Sequence, residues 1–229
     1  MIISEEQLKG WTVIKANTVA AASYYVSKEA SRPTLGTICI EVDDEGTTAT
    51  ATDARRLGHF KSMAAPKLEK NEHGKFLLKW ADIKAAKLIS ASPKKTLWLA
   101  VRRTKDEFKR NMLELMTLNW TGYAYEKVGQ LTINDYEGNF PMWRKLDQHQ
   151  SYIDNRKSAV SKDKASDNES PGFNTSYMID IFQSVAKAVS DCGDTTSQIL
   201  HRGMREPIYI IAHNASDETA LVLLMPVVL

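Results

Sequence analysis

Cysteine is scarce in this sequence: Cys39 and Cys192 are the two in 229 residues. They stand singly, without CxxC spacing or further ligands nearby, so neither a disulfide framework nor a zinc site is expected. A reducing, cytoplasmic setting fits that usage. Long hydrophobic runs are also missing. The greasy ending ALVLLMPVVL, residues 220–229, is about half of what a helix needs to cross a bilayer. No secretory or lipidation pattern stands at either end, and no membrane partner is expected. Charge of one sign is missing too: 30 Lys and Arg against 28 Asp and Glu leave a net charge of +2. That balance permits a nucleic-acid partner without demanding one.

Catalytic signatures are absent as well. His59, His73, His149, His201 and His213 show no ligand spacing such as HxxxH. Acidic residues are scattered or sit in turns, as in VDDEG. No GxxxxGK[ST], GxGxxG or GxSxG occurs. Nothing here points to an enzyme, a metal or a cofactor, and a non-catalytic protein is expected.

The hydrophobic fraction of 43% and charged fraction of 25% are those of a globular chain. Residues 4–30 read as a helix, with Ser4 as N-cap and Leu8, Trp11, Val19, Ala22 and Tyr25 sharing a face. Arg32-Pro33 ends it. In TICIEVDDEGTTATATD, two alternating strands flank a hairpin turn. The pattern recurs: GKFLLKWADIKAAKLISASP is a short strand and then a helix over 80–92, followed by strands in TLWLAVRR, MLELMTLNWTGYAYEK and QLTINDYEG. A third copy begins at Phe173, with a helix whose stripe is Met178, Ile181, Phe182, Val185 and Val189. EPIYIIAHN and TALVLLMPVVL close the chain as strands. Helices followed by antiparallel strands, repeated, imply an α+β protein with helices on one face of the sheets. Residues 147–171 are polar, rich in Ser, Lys and Asp, and read as a linker or loop.

Five stretches stand in one order: RPTLG, ATDARRLGHF, EGNFPMWRKL, FNTSYMIDIF and LLMPVVL. Together they resemble motifs of the bacterial β sliding clamp, the ring-shaped processivity subunit of DNA polymerase III. The resemblance is to a divergent, shortened clamp, such as a phage or plasmid would carry. Residues 1–146 resemble the clamp's middle domain, and 172–229 resemble the second half of its last domain. Nothing matches the first domain, and the polar segment stands where half of the last domain would be.

The resemblance implies a clamp fold and a homo-oligomeric ring on duplex DNA, closed by more copies of a shorter subunit; a reduced clamp that closes no ring is the other possibility. It implies a replicative DNA polymerase and a clamp loader as partners, each inserting a short apolar peptide into a pocket. Carried over by motif, that pocket would be lined by Leu35, Thr52, Arg56, Leu57, Pro141, Leu146, Leu223, Met225, Pro226 and Leu229. Ala54 stands where the family usually has glycine, and Arg55 where it has histidine. A clamp-fold adaptor that captures the same motifs without encircling DNA is the alternative. The ending itself can be a core strand, a groove wall, or both on alternate residues.

Sliding requires loose, sequence-blind phosphate contacts. Lys84 and Lys87, on the side of the second helix opposite Ala81, Ala85, Leu88 and Ile89, suit that role, with Lys94 and Lys95 following. Lys9, Lys15 and Lys28 on the first helix, and Arg32 after it, would extend the surface. A merely solvated face is the competing reading of the same lysines.

Overall fold

The computed structural model describes residues 1–43, 46–66, 74–89, 97–145, 175–189, 196–200, 207–214 and 218–225. Among the described residues no helix is long and apolar enough to cross a membrane.

The chain opens with a two-residue strand, β1 (Ile2–Ile3), then β2 (Thr12–Lys15) and a short helix, α1 (Ala16–Ala22). The single helix expected over 4–30 is therefore corrected. Gly10 adopts a φ of +75°, and the β-branched run Thr12-Val13-Ile14 continues as a strand pairing with β7 (Leu97–Lys105). Both faces of β2 are covered: Val13 packs with Trp11 and Trp98, and Ile14 faces the main core. Without polar alternation, such a strand mimics an apolar helical stripe.

Three strands follow α1: β3 (Thr37–Asp43), β4 (Gly46–Thr52) and β5 (Arg56–Ser62). The second unit repeats the order as β6 (Gly74–Lys79), α2 (Trp80–Ala85), β7, β8 (Asn111–Trp120) and β9 (Tyr125–Asn134). Each unit lends its opening strand to the other's sheet: β2 pairs with β7, and β6 pairs with β3. The helix expected over 80–92 ends at Ala85, and Lys87 takes a φ of +51°. Its inward residues are Ile83 and Leu88, whereas Ala81 and Ala85 are exposed.

The third unit supplies α3 (Thr175–Val189), β10 (Thr196–Leu200), β11 (Ile208–His213) and β12 (Thr219–Leu224). Strand β10 is not among the strands that the sequence predicts. The sheets run β1-β9-β8-β7-β2 and β10-β11-β12-β5-β4-β3-β6, all pairs antiparallel. On one face of the second sheet, α1 packs on β4 and β5 while α3 packs on β11 and β12. The two helices also meet each other, and their shared interior holds Val19, Tyr25, Ile181 and Val185. Phe182, expected in the α3 stripe, is instead 52% exposed. Ser184, Val185 and Ala188 turn inward, which rotates the stripe away from it.

Strand β12 explains the apolar ending. Ala220, Val222 and Leu224 join the core under the helices, while Leu221 and Leu223 face a second cluster with Leu57, Phe140 and Trp143. A strand covered on both faces reads as a continuous apolar run.

Candidate functional site

The β4–β5 hairpin is the organising piece. Thr52 Oγ1 donates to the Arg56 carbonyl at 2.7 Å and accepts from the Ala54 N–H at 3.1 Å. Asp53 Oδ1 accepts the N–H groups of Arg55 and Arg56 at 3.0 and 2.8 Å. This Asx arrangement closes the turn with Ala54 at φ +74°, a left-handed conformation that costs an L-residue about 1–2 kcal/mol. The ATDARRL motif is thus a turn whose polar residues satisfy its own backbone.

Arg56 leaves the turn toward the helices. Its Nε and Nη2 lie 3.0 Å from Asp53 Oδ2, its Nη1 donates to Asp180 Oδ2 at 2.7 Å, and its Nη2 also donates to the Tyr24 carbonyl at 3.2 Å. The guanidinium lies over the rings of Tyr177 and Tyr25, 4.2 and 5.6 Å from their centroids. Burial works against its charge, but the hydrogen bonds and charges of Asp180 and Asp53 outweigh that and hold its pKa above the ordinary value. Arg56 therefore clasps the hairpin to α3 and to the chain after α1.

On the other side of the hairpin, the FPMW segment folds down. Phe140 and Trp143 are buried, Trp143 stacks at a tilt on His59 with centroids 4.5 Å apart, and Arg144 pairs with Glu41 at 2.7 Å. Pro141 and Met142 stay at the surface. The Met225 N–H donates to the Arg55 carbonyl at 3.0 Å, which carries the chain past the end of β12 along the turn. These pieces enclose a mainly apolar groove of about 360 Å³, lined by Thr52, Ala54, Arg55, Arg56, Leu57, Pro141, Met142, Trp143, Leu223 and Met225.

Six of the residues carried over from the motif comparison meet there: Thr52, Arg56, Leu57, Pro141, Leu223 and Met225. Leu35 is not in the lining. It is half-buried in a 3-10 turn whose carbonyl accepts the Ser27 N–H at 2.8 Å. Leu146, Pro226 and Leu229 lie outside the described residues, as do Lys94, Lys95 and the 147–171 segment. Ala54 and Arg55, the two motif positions that depart from the family, also line the groove, and so do Met142 and Trp143, which the expected set lacks although both lie inside the FPMW motif.

A second, polar cleft of about 640 Å³ lies on the helix side of the same hairpin. Lys28, Arg55 and Lys84 line it together with the Tyr24, Trp80 and Tyr177 rings and the carboxylates of Glu29, Asp53 and Asp180. The remaining expected DNA contacts fare differently. Lys9 is exposed but paired with Glu6 at 2.8 Å, and Arg32 lies 3.6 Å from Glu29. Lys87 is exposed beyond α2. Lys15 is a correction: it belongs to β2, not to a surface helix, and its Nζ meets Glu218 Oε1 at 2.8 Å with side chains 2% and 0% exposed. No nucleic acid can reach it.

No protein-family model and no curated protein matches this chain in sequence. Solved structures do. The sliding clamp of Pseudomonas aeruginosa, crystallised with a ligand, superposes with a TM-score of 0.56 at 14% identity, covering 96% of this chain and 66% of the clamp. The Bacillus subtilis clamp gives 0.58 at 15% identity, covering 96% and 64%. The C. crescentus β clamp, with polyethylene glycol in a region proposed to tether β-motifs, gives 0.56 at 16%, covering 100% and 68%. This chain thus spans about two thirds of the length of the clamps it matches. These superpositions show that the chain has the fold of the bacterial DNA polymerase III β sliding clamp.

Proposed function

We propose that the protein is a DNA sliding clamp or clamp-like processivity factor. It tethers a replicative DNA polymerase to duplex DNA by capturing a short apolar peptide in the groove beside the β4–β5 hairpin. A clamp loader would use the same groove, the working form would be a homo-oligomeric ring in the cytoplasm, and no step would be catalysed. The observation that carries this reading is the meeting of Leu57, Leu223, Met225 and Pro141, from three distant stretches, around one open apolar groove. Apolar side chains buried there contribute about 25 cal/mol per Å². Methionines at the rim adapt to different anchors.

Lys28 and Lys84, on the helix side, would meet phosphates and leave bases unread. One observation favours the adaptor reading, in which no DNA is encircled. Of six cations expected on the DNA face, Lys15 is buried, and Lys9 and Arg32 each have a carboxylate beside them, Glu6 and Glu29, in exposed pairs. Two measurements separate the readings. Light scattering gives the molar mass in solution. Retention on nicked circular DNA, before and after linearisation, reports topological linkage. Loss of retention on linearisation supports the clamp; equal, weak binding to both forms supports the adaptor.

A further inference from the structure

The two edges of the seven-stranded sheet are finished differently. At one edge, β6 carries Lys75 and Lys79, both exposed. Lysines on an edge strand discourage pairing with another chain. At the other edge, β10 reads Thr-Ser-Gln-Ile-Leu, with no charge and no proline. Ile199 of β10 stands opposite Ile210, a core residue under the helices, so it lies on the helix face of the sheet. On α3, Ile179, Phe182 and Ala186 share one flank. That flank is turned away from Asp180 and Ser184, which bond to Arg56 and Tyr25 on the α1 side. Because α1 covers β4 and β5 while α3 covers β11 and β12, the flank overlooks β10. Ile179, Phe182 and Ile199 are each more than half exposed. Helix flank and strand edge form one uncharged, apolar ledge.

We infer that a second copy of this chain docks on the ledge through the same ledge of its own. The first two units complete each other by exchanging like for like. The strand after each helix, β3 or β7, receives the other unit's opening strand. β10 holds that place in the third unit and receives no strand there among the described residues. Within this sequence the longest stretch outside the described residues, 146–174, is shorter than either complete unit, 12–62 or 74–134. It is too short to supply a fourth unit, whereas a second copy brings another third unit. A neutral surface also suits contact with itself. A two-fold axis brings each residue near its own counterpart, where a charge would meet its like. The other open edge fits the ledge less well, because the exposed residues of β9 are polar apart from Val128. The contact is isologous and closes at two copies; by itself it makes a pair, not a ring.

The test is light scattering of the full chain and four variants across a concentration series. The parent should weigh two copies. Phe182→Glu and Ile199→Glu should each raise the dissociation constant about a hundredfold or more, since the contact would bury an unpaired charge from both copies. Val128→Glu and Ile2→Glu, at the β9 edge, should leave the pair intact. All four side chains are exposed, so urea midpoints of the separated copies should match the parent. A parent at one copy overturns the inference. If Phe182→Glu and Ile199→Glu then lower the urea midpoint, the ledge is covered by the same chain. A parent assembly that neither of these two variants weakens overturns it as well. Equal losses from the β9-edge variants would assign a head-to-tail contact and have the same effect. Peptide titration tests the apolar groove separately, so either reading can fail without the other.

Discussion

Leu223 stands directly opposite Leu57 in the β12–β5 pairing, so the end of the chain and the end of the ATDARRL motif form one wall. Both are buried, and just past them Met225 emerges 49% exposed at the groove. The wall therefore has a structural layer and a contact layer. Met142, 71% exposed, faces the same opening from the FPMW segment. Met225→Ala and Met142→Ala should each weaken an apolar peptide by about five- to tenfold, as anchors of moderate weight do. Urea midpoints should stay near the parent value. Leu223→Ala should instead cost about 2–5 kcal/mol of stability by leaving a cavity. Wild-type peptide affinity in both methionine variants would remove the groove from the function.

Ala54 sits at φ +74° in the hairpin turn beside the groove. Glycine pays no steric cost there, so Ala54→Gly should stabilise the fold by about 0.5–1 kcal/mol, the relief being partly offset by greater freedom of the unfolded chain. Urea denaturation measures it. A loss of stability would mean that the Asx turn, not the backbone strain, dominates this position.

The groove was more legible in the sequence than the helices were. The resemblance to the clamp motifs placed Thr52, Leu57, Pro141, Leu223 and Met225 around one pocket, and the fold brings these five to one groove. Trp143 was within reach by the same signal. Lys15 was not: its Glu218 partner is 203 residues away, and a lysine in an apolar stretch carries no sign of whether it finds water or a carboxylate. The 4–30 segment misled for a related reason, since a strand buried on both faces and a helix stripe share the same apolar density. Leu35 carried a motif match without the geometry.

The Lys15–Glu218 pair links β2 to the start of the last strand, with Asn214 Nδ2 also donating to Glu218 at 2.8 Å. Lys15→Met alone should cost about 3–5 kcal/mol, because it strands a buried carboxylate. Adding Glu218→Gln should recover much of that loss, since a neutral amide can still meet Asn214. Thermal unfolding of the single and double variants gives the coupling. Additive losses would show that the two groups act independently.

Burial raises the Cys39 thiol pKa from 9.0 to about 12, with the Glu41 charge adding to it. In folded protein at pH 8, alkylation of Cys39 should be far slower than in urea, as peptide mapping would show. The sign of the linkage also follows. A thiol whose pKa is raised in the fold keeps its proton there while the unfolded chain loses it. This contribution to stability is intact below pH 9.0 and falls as pH climbs toward about 12. Rapid native-state labelling of Cys39 would contradict the buried cluster under the FPMW segment.

Lys28 and Lys84 line the helix-side cleft and make no ion pair among the described residues, which sets them apart from Lys9, Arg32 and Lys15. If DNA passes over the helix face, these two should carry a disproportionate share of the phosphate contacts. Lys28→Gln with Lys84→Gln should lower duplex affinity at low salt and reduce the slope of log K against log salt by about 0.9 for each contact removed. Lys9→Gln should change the slope less, because Glu6 already competes for that ammonium. Lys15→Met should not change it at all once the folded fraction is allowed for. Peptide binding should be untouched in the Lys28 and Lys84 double variant, since neither residue lines the apolar groove. Fluorescence anisotropy with labelled duplex across a salt series, and with labelled peptide in parallel, reads all of these. An unchanged salt slope in the double variant would place the DNA surface elsewhere. A slope that drops for Lys15→Met would overturn the buried ion pair itself.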